Sequence, residues 1–329
     1  MKPSIAFAVC CLLAPLLCPL LAQPLPGFKT TGLFNEQEMS RNDTLNKISV
    51  HIVAPIKLNP KAETVLVFYA LPNGNSIEWT KGKKLQPGDD WHFDIQHIAA
   101  QMRFVRELDK KNNYIIVYLM AAQKSWPAWK RDTPNAIHTI KKTVDSITET
   151  FSAYRPSIVL NGHSGGGSFI FGFLDAVNEI PSHVNRIAFL DSDYGYNDSL
   201  HSKKLVNWLN QSNRNKLLVL AYNDSLVMYN GKPLVSPTGG TWYRSRLMQR
   251  NLSTAFKFLT VEDTSFIAHR ALGGRALFML KKNPQALIYH TVQVEKNGFI
   301  LSLLSGTRLH HRKYFTYFGE RAYTRYITD

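Results

Sequence analysis

The sequence predicts an α/β fold with a mostly parallel central sheet and helices on both of its faces. Short apolar runs, rich in β-branched and aromatic residues, alternate along the chain with longer segments whose apolar residues recur at helical spacing. This alternation is typical of a parallel sheet, in which a helix carries the chain back between consecutive strands. Of the 329 residues, 44% are hydrophobic and 19% are charged, so the chain can bury a large core without disulfides or a structural metal ion.

Each element is predicted from its own pattern. The run TVLVFYAL at 64–71 has the length and composition of a buried strand. In 90–108, Ile98, Met102 and Val105 recur on one face of a helix. The same criteria predict further strands at 50–53, 114–120, 157–160, 186–190, 217–222, 256–261 and, as the last strand, 286–294. They predict further helices at 135–151, 169–177, 200–210, 241–252 and from 299 onward.

The N-terminal segment 1–22 has the features of a signal peptide. Lys2 precedes an apolar run from Ile5 to Leu21, and Ala22 offers a small residue for cleavage. Two prolines interrupt the run, which is also short for a membrane span, so no stable transmembrane span is expected. We therefore expect a secreted or periplasmic protein, with an irregular N-terminal lead-in at 23–47 and a single domain at 48–329.

Cysteine usage narrows the chemistry of the mature chain. All three cysteines, Cys10, Cys11 and Cys18, lie in the predicted leader. The mature protein would then contain no disulfide and no cysteine nucleophile. We expect no cofactor, and no metal, because no histidine spacing matches a known metal-ligand pattern.

The formal net charge of +15 indicates an affinity for anionic partners. The basic residues are scattered along the chain, and no nucleic-acid recognition motif is present, so we do not predict a nucleic-acid partner. An acidic polysaccharide or an anionic surface is compatible with this charge.

The stretch from Ile158 to Gly167 carries the strongest chemical signal. In it, Gly162-His163-Ser164-Gly165-Gly166 follows a predicted strand and opens a predicted helix. A sharp strand–turn–helix of this kind requires small residues around a serine that projects from the sheet edge. No P-loop lysine follows the glycines, which argues against a phosphate-binding loop. The stretch is therefore interpreted as a nucleophile elbow with Ser164 at its tip.

On these residues the chain resembles the α/β-hydrolase superfamily, over roughly 48–307. The resemblance implies an oxyanion hole built from the N–H of Gly165 and a second N–H from the loop after an earlier strand. The loop 71–75 is well placed, and Gly74 or Asn75 is the expected donor.

The resemblance also implies an acid and a histidine that follow the serine in chain order. Asp224, at the end of the strand predicted at 217–222, is the favoured acid, and Asp191 and Asp193 are alternatives after the preceding strand. The loop expected to carry the histidine, 295–301, contains none, and His290 is the closest candidate although it falls inside the predicted last strand.

Three hypotheses remain open for the base. His290 serves, or His310 or His311 folds back, or the base has been lost, with Leu301 occupying its position. The function expected from the resemblance is that of an exported serine esterase, which acts on a small-molecule or polymer ester through an acyl-enzyme on Ser164. The alternative is a catalytically impaired protein of the same fold that binds an anionic polymer or surface.

Overall fold

The computed structural model describes residues 24–88 and 95–328. The predicted signal peptide at 1–22 and the start of the helix predicted at 90–108 lie outside these residues. The strands are β1 (Lys29–Thr30), β2 (Glu36–Asp43), β3 (Ile48–Pro55), β4 (Glu63–Ala70), β5 (Asn112–Ala121), β6 (Ser157–His163), β7 (Val184–Leu190), β8 (Lys216–Tyr222), β9 (Met228–Tyr229), β10 (Lys232–Pro233), β11 (Leu259–Glu262), β12 (Phe266–Ala271) and β13 (Ala276–Lys281).

The helices fall mostly between these strands, as the alternating pattern predicts. They are α1 (Ile77–Lys81), α2 (Ile98–Leu108), α3 (Trp126–Asp132), α4 (Ala136–Thr150), α5 (Gly167–Asp175), α6 (Asp198–Gln211), α7 (Thr241–Leu252) and α8 (Phe299–Leu304). Within the described residues, no helix is long and apolar enough to cross a membrane.

The main sheet has the strand order β1-β2-β3-β5-β4-β6-β7-β8-β13-β12-β11. Its centre, from β5 to β13, is parallel throughout. Antiparallel strands extend both edges, and β3 runs antiparallel to both of its neighbours. The predicted fold class is confirmed for the centre of the sheet, and the antiparallel edges are additional to the prediction.

Two apolar cores cover the two faces of the sheet, because side chains alternate along each strand. On β4, Leu66 and Phe68 pack into the core that contains residues of α3 to α7. Val67 and Tyr69 of the same strand point to the other face, against residues of α2 and α8. The sheet is thus the middle of three layers, and the ends of its strands are the places where loops can form sites.

The lead-in at 23–47 is not irregular, contrary to expectation. Glu36–Asp43 forms β2, which pairs with β3 over its whole length. The strand is polar because it lies near a sheet edge, and its buried Glu36 accepts hydrogen bonds from Arg103 (Nη2, 2.8 Å) and Arg106. Removing one partner of a buried ion pair typically costs about 3–5 kcal/mol, so this ion pair helps to fix the edge strand.

The strand predicted at 286–294 is wrong. The last strand is β13, which pairs in parallel with β8, and 282–291 is a loop that leads into a short helical segment with a π-helical turn at Val294–Gly298. The Asn283 side chain fixes this loop through hydrogen bonds to the carbonyls of Asn223 (3.1 Å) and Leu287 (2.8 Å). Side-chain bonds of this kind give the backbone an alternative to a strand ladder.

Candidate active site

Ser164 lies directly after β6, at the carboxyl edge of the parallel strands. Its backbone has a φ of 54°, in the left-handed region that non-glycine residues rarely adopt. The side chain is half-buried, and one turn of 3-10 helix (Ser164–Gly166) leads into α5. A strained serine between a strand and a helix is the geometry that the glycine pattern predicts for a nucleophile elbow.

The glycines after Ser164 are required by close backbone contacts. A Cβ atom on Gly166 would lie 2.2 Å from the carbonyl oxygen of Ala70, at the end of β4. A Cβ atom on Gly167 would lie 1.6 Å from the carbonyl oxygen of Ser192, beyond the end of β7. The start of α5 is therefore wedged between the ends of two strands, and this packing sets the position of Ser164.

His290 lies in the loop after β13, the last strand, and its Nδ1 hydrogen-bonds Asp191 Oδ2. The Asp191 carboxylate is fully buried, whereas the imidazole is 26% exposed. A carboxylate bonded at Nδ1 favours the neutral tautomer with its proton on Nδ1, which leaves Nε2 as an acceptor. The resemblance implies a histidine in the loop after the last strand. Since the last strand is β13 and not 286–294, His290 lies in that loop.

His163, the last residue of β6, links the turn at Ser164 to the loop that carries His290. Its Nε2 lies 3.1 Å from the backbone carbonyl of His290, and the two rings are 4.5 Å apart. Burial and the neighbouring His290 lower the pKa of His163 well below its usual range, so its ring is neutral and donates from Nε2. Among the described residues, no hydrogen bond joins Ser164 Oγ to His290 directly; such bonds often form only once substrate is bound.

Asp191 and Asp224 are joined by Thr241, the first residue of α7. The Thr241 hydroxyl donates to Asp191 Oδ1 and lies 3.3 Å from Asp224 Oδ2, and the Thr241 N–H donates to Asp224 Oδ2 at 2.8 Å. Asp224 therefore caps α7 and does not contact His290. Sequence reasoning favoured Asp224 as the partner of the histidine, but the structure pairs the histidine with Asp191.

Burial and the charge of Asp191 raise the pKa of Asp224 to about 6. Asp193 is fully buried, accepts a hydrogen bond from Ser245 Oγ (2.8 Å), and has a pKa well above its usual range, chiefly because of burial. Neither carboxylate meets the imidazole. Burial disfavours the charged form of both carboxyl groups, and the nearby charge of Asp191 adds to that effect.

The predicted oxyanion donors are only partly supported by the geometry. Gly165 lies in the first turn of its helix, where backbone N–H groups have no partner within the helix. The N–H of Gly74, in contrast, donates to the Lys124 carbonyl at 2.8 Å and is not available. Asn75 is buried in the same loop and stays a prediction. Asn73 belongs to the predicted loop but was not named as the donor, and its side chain lies against the α-carbon of Gly165.

The other candidates for the base lie elsewhere. His310 follows α8, packs beside Phe315 (ring centroids 6.0 Å apart), and its pKa is lowered by burial and by Arg270 and Arg186. Leu301 is in the core beside the sheet and is 1% exposed. The structure therefore brings His290, and neither His310 nor the position of Leu301, to the elbow. In 24–88 and 95–328, no group of three or more His, Cys, Asp or Glu residues is arranged to hold a metal ion.

The sheet order and the strand–turn–helix at Ser164 define an α/β-hydrolase fold. No family model and no curated protein matches the chain. Similar solved structures include a thermostable esterase, at 13% identity over 85% of this chain and 64% of that one, with a TM-score of 0.48. The chain thus spans less than two thirds of that structure's length.

Two further structures have the same kind of likeness. One is a mutant of the feruloyl esterase module from Clostridium thermocellum complexed with sinapinate, at 11% identity, 83% and 86% coverage and a TM-score of 0.48. The other is poly(aspartic acid) hydrolase-1 from Sphingomonas sp. KT-1, at 12% identity, 85% and 99% coverage and a TM-score of 0.46. Likenesses this low do not assign an activity to this chain.

Proposed function

We propose that the protein is a serine hydrolase that cleaves carboxylic esters through an acyl-enzyme on Ser164. The observation that supports this most strongly is the hydrogen bond between His290 Nδ1 and the buried Asp191 carboxylate, in a loop that contacts the residue before Ser164. A serine hydroxyl becomes a useful nucleophile only when a base removes its proton and an acid orients that base. These three residues have the chemistry and the chain order for those roles.

In the first half of the reaction, Ser164 Oγ attacks the ester carbonyl while His290 Nε2 takes the hydroxyl proton. Asp191 holds the proton on Nδ1 and stabilises the imidazolium that forms. The tetrahedral intermediate collapses, the C–O bond of the leaving alcohol breaks, and the alcohol receives the proton from His290. In the second half, water attacks the acyl-enzyme while His290 again acts as the base, and the carboxylic acid is released from Ser164.

The oxyanion of the intermediate is assigned to the start of the helix after Ser164. The Gly165 N–H points from the first helical turn, whose positive end favours negative charge. A second donor is proposed from 73–75, where Asn73 contacts Gly165 and the N–H of Gly74 is already used. One oxyanion donor is commonly worth about 10²–10³ in kcat.

The substrate and the location are further parts of the proposal. The charge of +15 favours a small or polymeric ester that carries negative charge, or one held on an anionic surface. The apolar run from Ile5 to Leu21 supports export and cleavage near Ala22, to a secreted or periplasmic location. N-terminal sequencing of the mature protein would test the cleavage.

The hydrolysis of p-nitrophenyl esters tests the proposed activity. Ser164→Ala should lose nearly all turnover, and His290→Gln should lower kcat by several orders of magnitude, because serine and base act as one unit. Ser168→Ala, in which the exchanged hydroxyl lies further along α5, is the matched control and should retain full activity. Equal turnover in Ser164→Ala and Ser168→Ala would refute the proposal.

A further inference from the structure

A cavity of about 510 Å³ lies at the amino ends of the central strands. Glu63, Ser157 and Lys216 line it, and each is the first residue of its strand, β4, β6 and β8 respectively. Ser164 follows the carboxyl end of β6, which has seven residues. At a rise of about 3.3 Å per residue, roughly 20 Å separate the cavity from the elbow. The cavity is therefore distinct from the candidate active site.

Positive charge dominates the lining of this cavity. Six of the lining side chains are cationic and two are anionic, an excess of four positive charges. The anionic ones are Glu63, which is paired with Arg214, and Asp109, which accepts its hydrogen bonds from neutral donors. The cationic ones are Lys110, Lys111, Arg186, Arg214, Lys216 and Arg308.

Arg186 is the most unusual of these cations because it is buried without a counter-ion. Its guanidinium donates to the carbonyls of Ser302 (3.1 Å) and Ser305 (2.9 Å) and to the Ser305 hydroxyl (2.9 Å). Among the described residues, no carboxylate lies within ion-pairing distance of it. A buried charge of this kind is costly unless it is neutralised, and an anion in the cavity would neutralise it.

Lys216 lies beside Arg186 in the sheet, and among the described residues its ammonium group donates to a carbonyl, that of Arg214 (3.1 Å). Burial and the nearby charges of Arg186, Arg214 and Arg275 lower its pKa to about 8, and Glu63 offsets part of that effect. Part of this lowering comes from the three neighbouring guanidinium groups, which make the local potential positive. Such a potential attracts and holds anions.

Part of the remaining wall is apolar and is formed by side chains such as Val159, Leu303 and Leu309, whereas side chains such as Asn185 and Thr307 are polar. The volume of the cavity is in the range of small-molecule sites. The planar guanidinium groups of arginine and the ammonium groups of lysine can together donate hydrogen bonds to several oxygens of one phosphate. We propose that this cavity binds a small phosphorylated molecule that has an apolar body, independently of the elbow.

Calorimetric titration with phenyl phosphate at low ionic strength tests this proposal, in a Ser164→Ala background that removes turnover. Lys216→Met combined with Arg308→Gln should weaken binding by about tenfold or more, because two charge-assisted contacts are lost. Lys203→Met combined with Arg312→Gln removes the same charge at exposed positions outside the cavity and should leave affinity nearly unchanged. Equal weakening in both double variants would overturn the proposal.

Glu63→Gln is expected to strengthen binding, a result that a loss of folding cannot produce. It removes a carboxylate from the cavity and releases Arg214, so phenyl phosphate should bind more tightly. Benzoate, with the same ring and a single charge, should bind about tenfold more weakly than phenyl phosphate. Equal binding of benzoate would overturn the phosphate assignment. Binding to phosphatidic acid vesicles without binding to phenyl phosphate would overturn the small-molecule proposal and indicate a membrane surface as the ligand.

Discussion

Two buried carboxylates, Asp191 and Asp224, share the hydroxyl of Thr241 but have different environments. Asp191 faces His290, whereas Asp224 accepts the backbone N–H of Thr241 and caps α7. Burial, together with the nearby charge of Asp191, raises the pKa of Asp224 to about 6. Near neutral pH, Asp224 can thus exchange a proton while Asp191 remains hydrogen-bonded to the imidazole. The two residues are therefore expected to affect activity and stability differently.

Paired substitutions separate the two roles. Asp191→Asn should lower kcat/KM for an ester by about 10³–10⁴-fold, because the amide favours the wrong tautomer of His290. Asp224→Asn should change it by no more than about tenfold, because Asp224 does not touch the imidazole. Steady-state kinetics on one ester, with both folded variants compared, is the measurement. A larger loss in Asp224→Asn than in Asp191→Asn would reverse the assignment.

The raised pKa of Asp224 predicts a particular pH dependence of stability. The folded protein binds this proton more tightly than the unfolded chain, whose value is near 3.8, so the free energy of unfolding falls as pH rises from about 4 to about 6. Asp224 accounts for a decrease on the order of 3 kcal/mol in the free energy of unfolding over this pH range.

Urea unfolding of the wild type and of Asp224→Asn across this pH range tests that prediction. Asp193 is common to both proteins and contributes to both curves. The variant should therefore show a flatter dependence than the wild type. Parallel curves would show that Asp224 does not carry the raised pKa.

At the scale of elements, the glycine-rich turn before α5 fixes the active-site geometry. Its residues contact the ends of β4 and β7 through backbone atoms, which cannot move aside as a flexible side chain can. This constraint is local, and for that reason the strand, the turn and the strained serine could all be predicted from Gly162 to Gly167.

Gly166→Ala tests this constraint. The added methyl would meet the Ala70 carbonyl, so we expect a loss of about 1–3 kcal/mol in the free energy of unfolding and a sharp fall in esterase activity. Ser168→Ala, two residues further along the chain, should preserve both. Thermal unfolding and ester hydrolysis measure the two effects. Identical behaviour of the two variants would show that the turn tolerates displacement.

The last strand and the loop after it could not be predicted in the same way. Ile288, Val292 and Val294 alternate as in a strand, but the Asn283 side chain holds this segment as a loop. The hairpin of β12 and β13 had a readable signal, a Gly273-Gly274 pair between two apolar runs. Once that hairpin is recognised, His290 falls in the loop where the resemblance expects a histidine.

The choice of Asp191 over Asp224 depends on contacts between segments far apart in the chain. Asp191, Thr241 and His290 come together only through the packing of β7, β8 and α7. Strand ends alone offered both aspartates and favoured Asp224, and the helix-capping role of Asp224 depends on where α7 begins. The central fold and Ser164 were therefore predictable from local patterns, whereas the acid and the positions of the oxyanion donors were not.

At the scale of the whole molecule, the parallel sheet separates two chemically different edges. The carboxyl edge carries the elbow, His290 and the buried carboxylates, and the amino edge carries the basic cavity. The excess of four positive charges in that cavity is part of the net charge of +15. Positive potential at one edge and the hydrolytic chemistry proposed for the other are compatible with an enzyme that works on, or near, anionic material.

Covalent labelling with a fluorophosphonate probe tests directly whether Ser164 is an activated nucleophile, because such probes react preferentially with activated serines. We expect stoichiometric labelling that peptide mass spectrometry places on Ser164. Ser164→Ala should abolish this labelling, and His290→Gln and Asp191→Asn should slow it strongly. A folded wild-type protein that stays unlabelled would contradict the hydrolase assignment and favour a binding protein on the same fold.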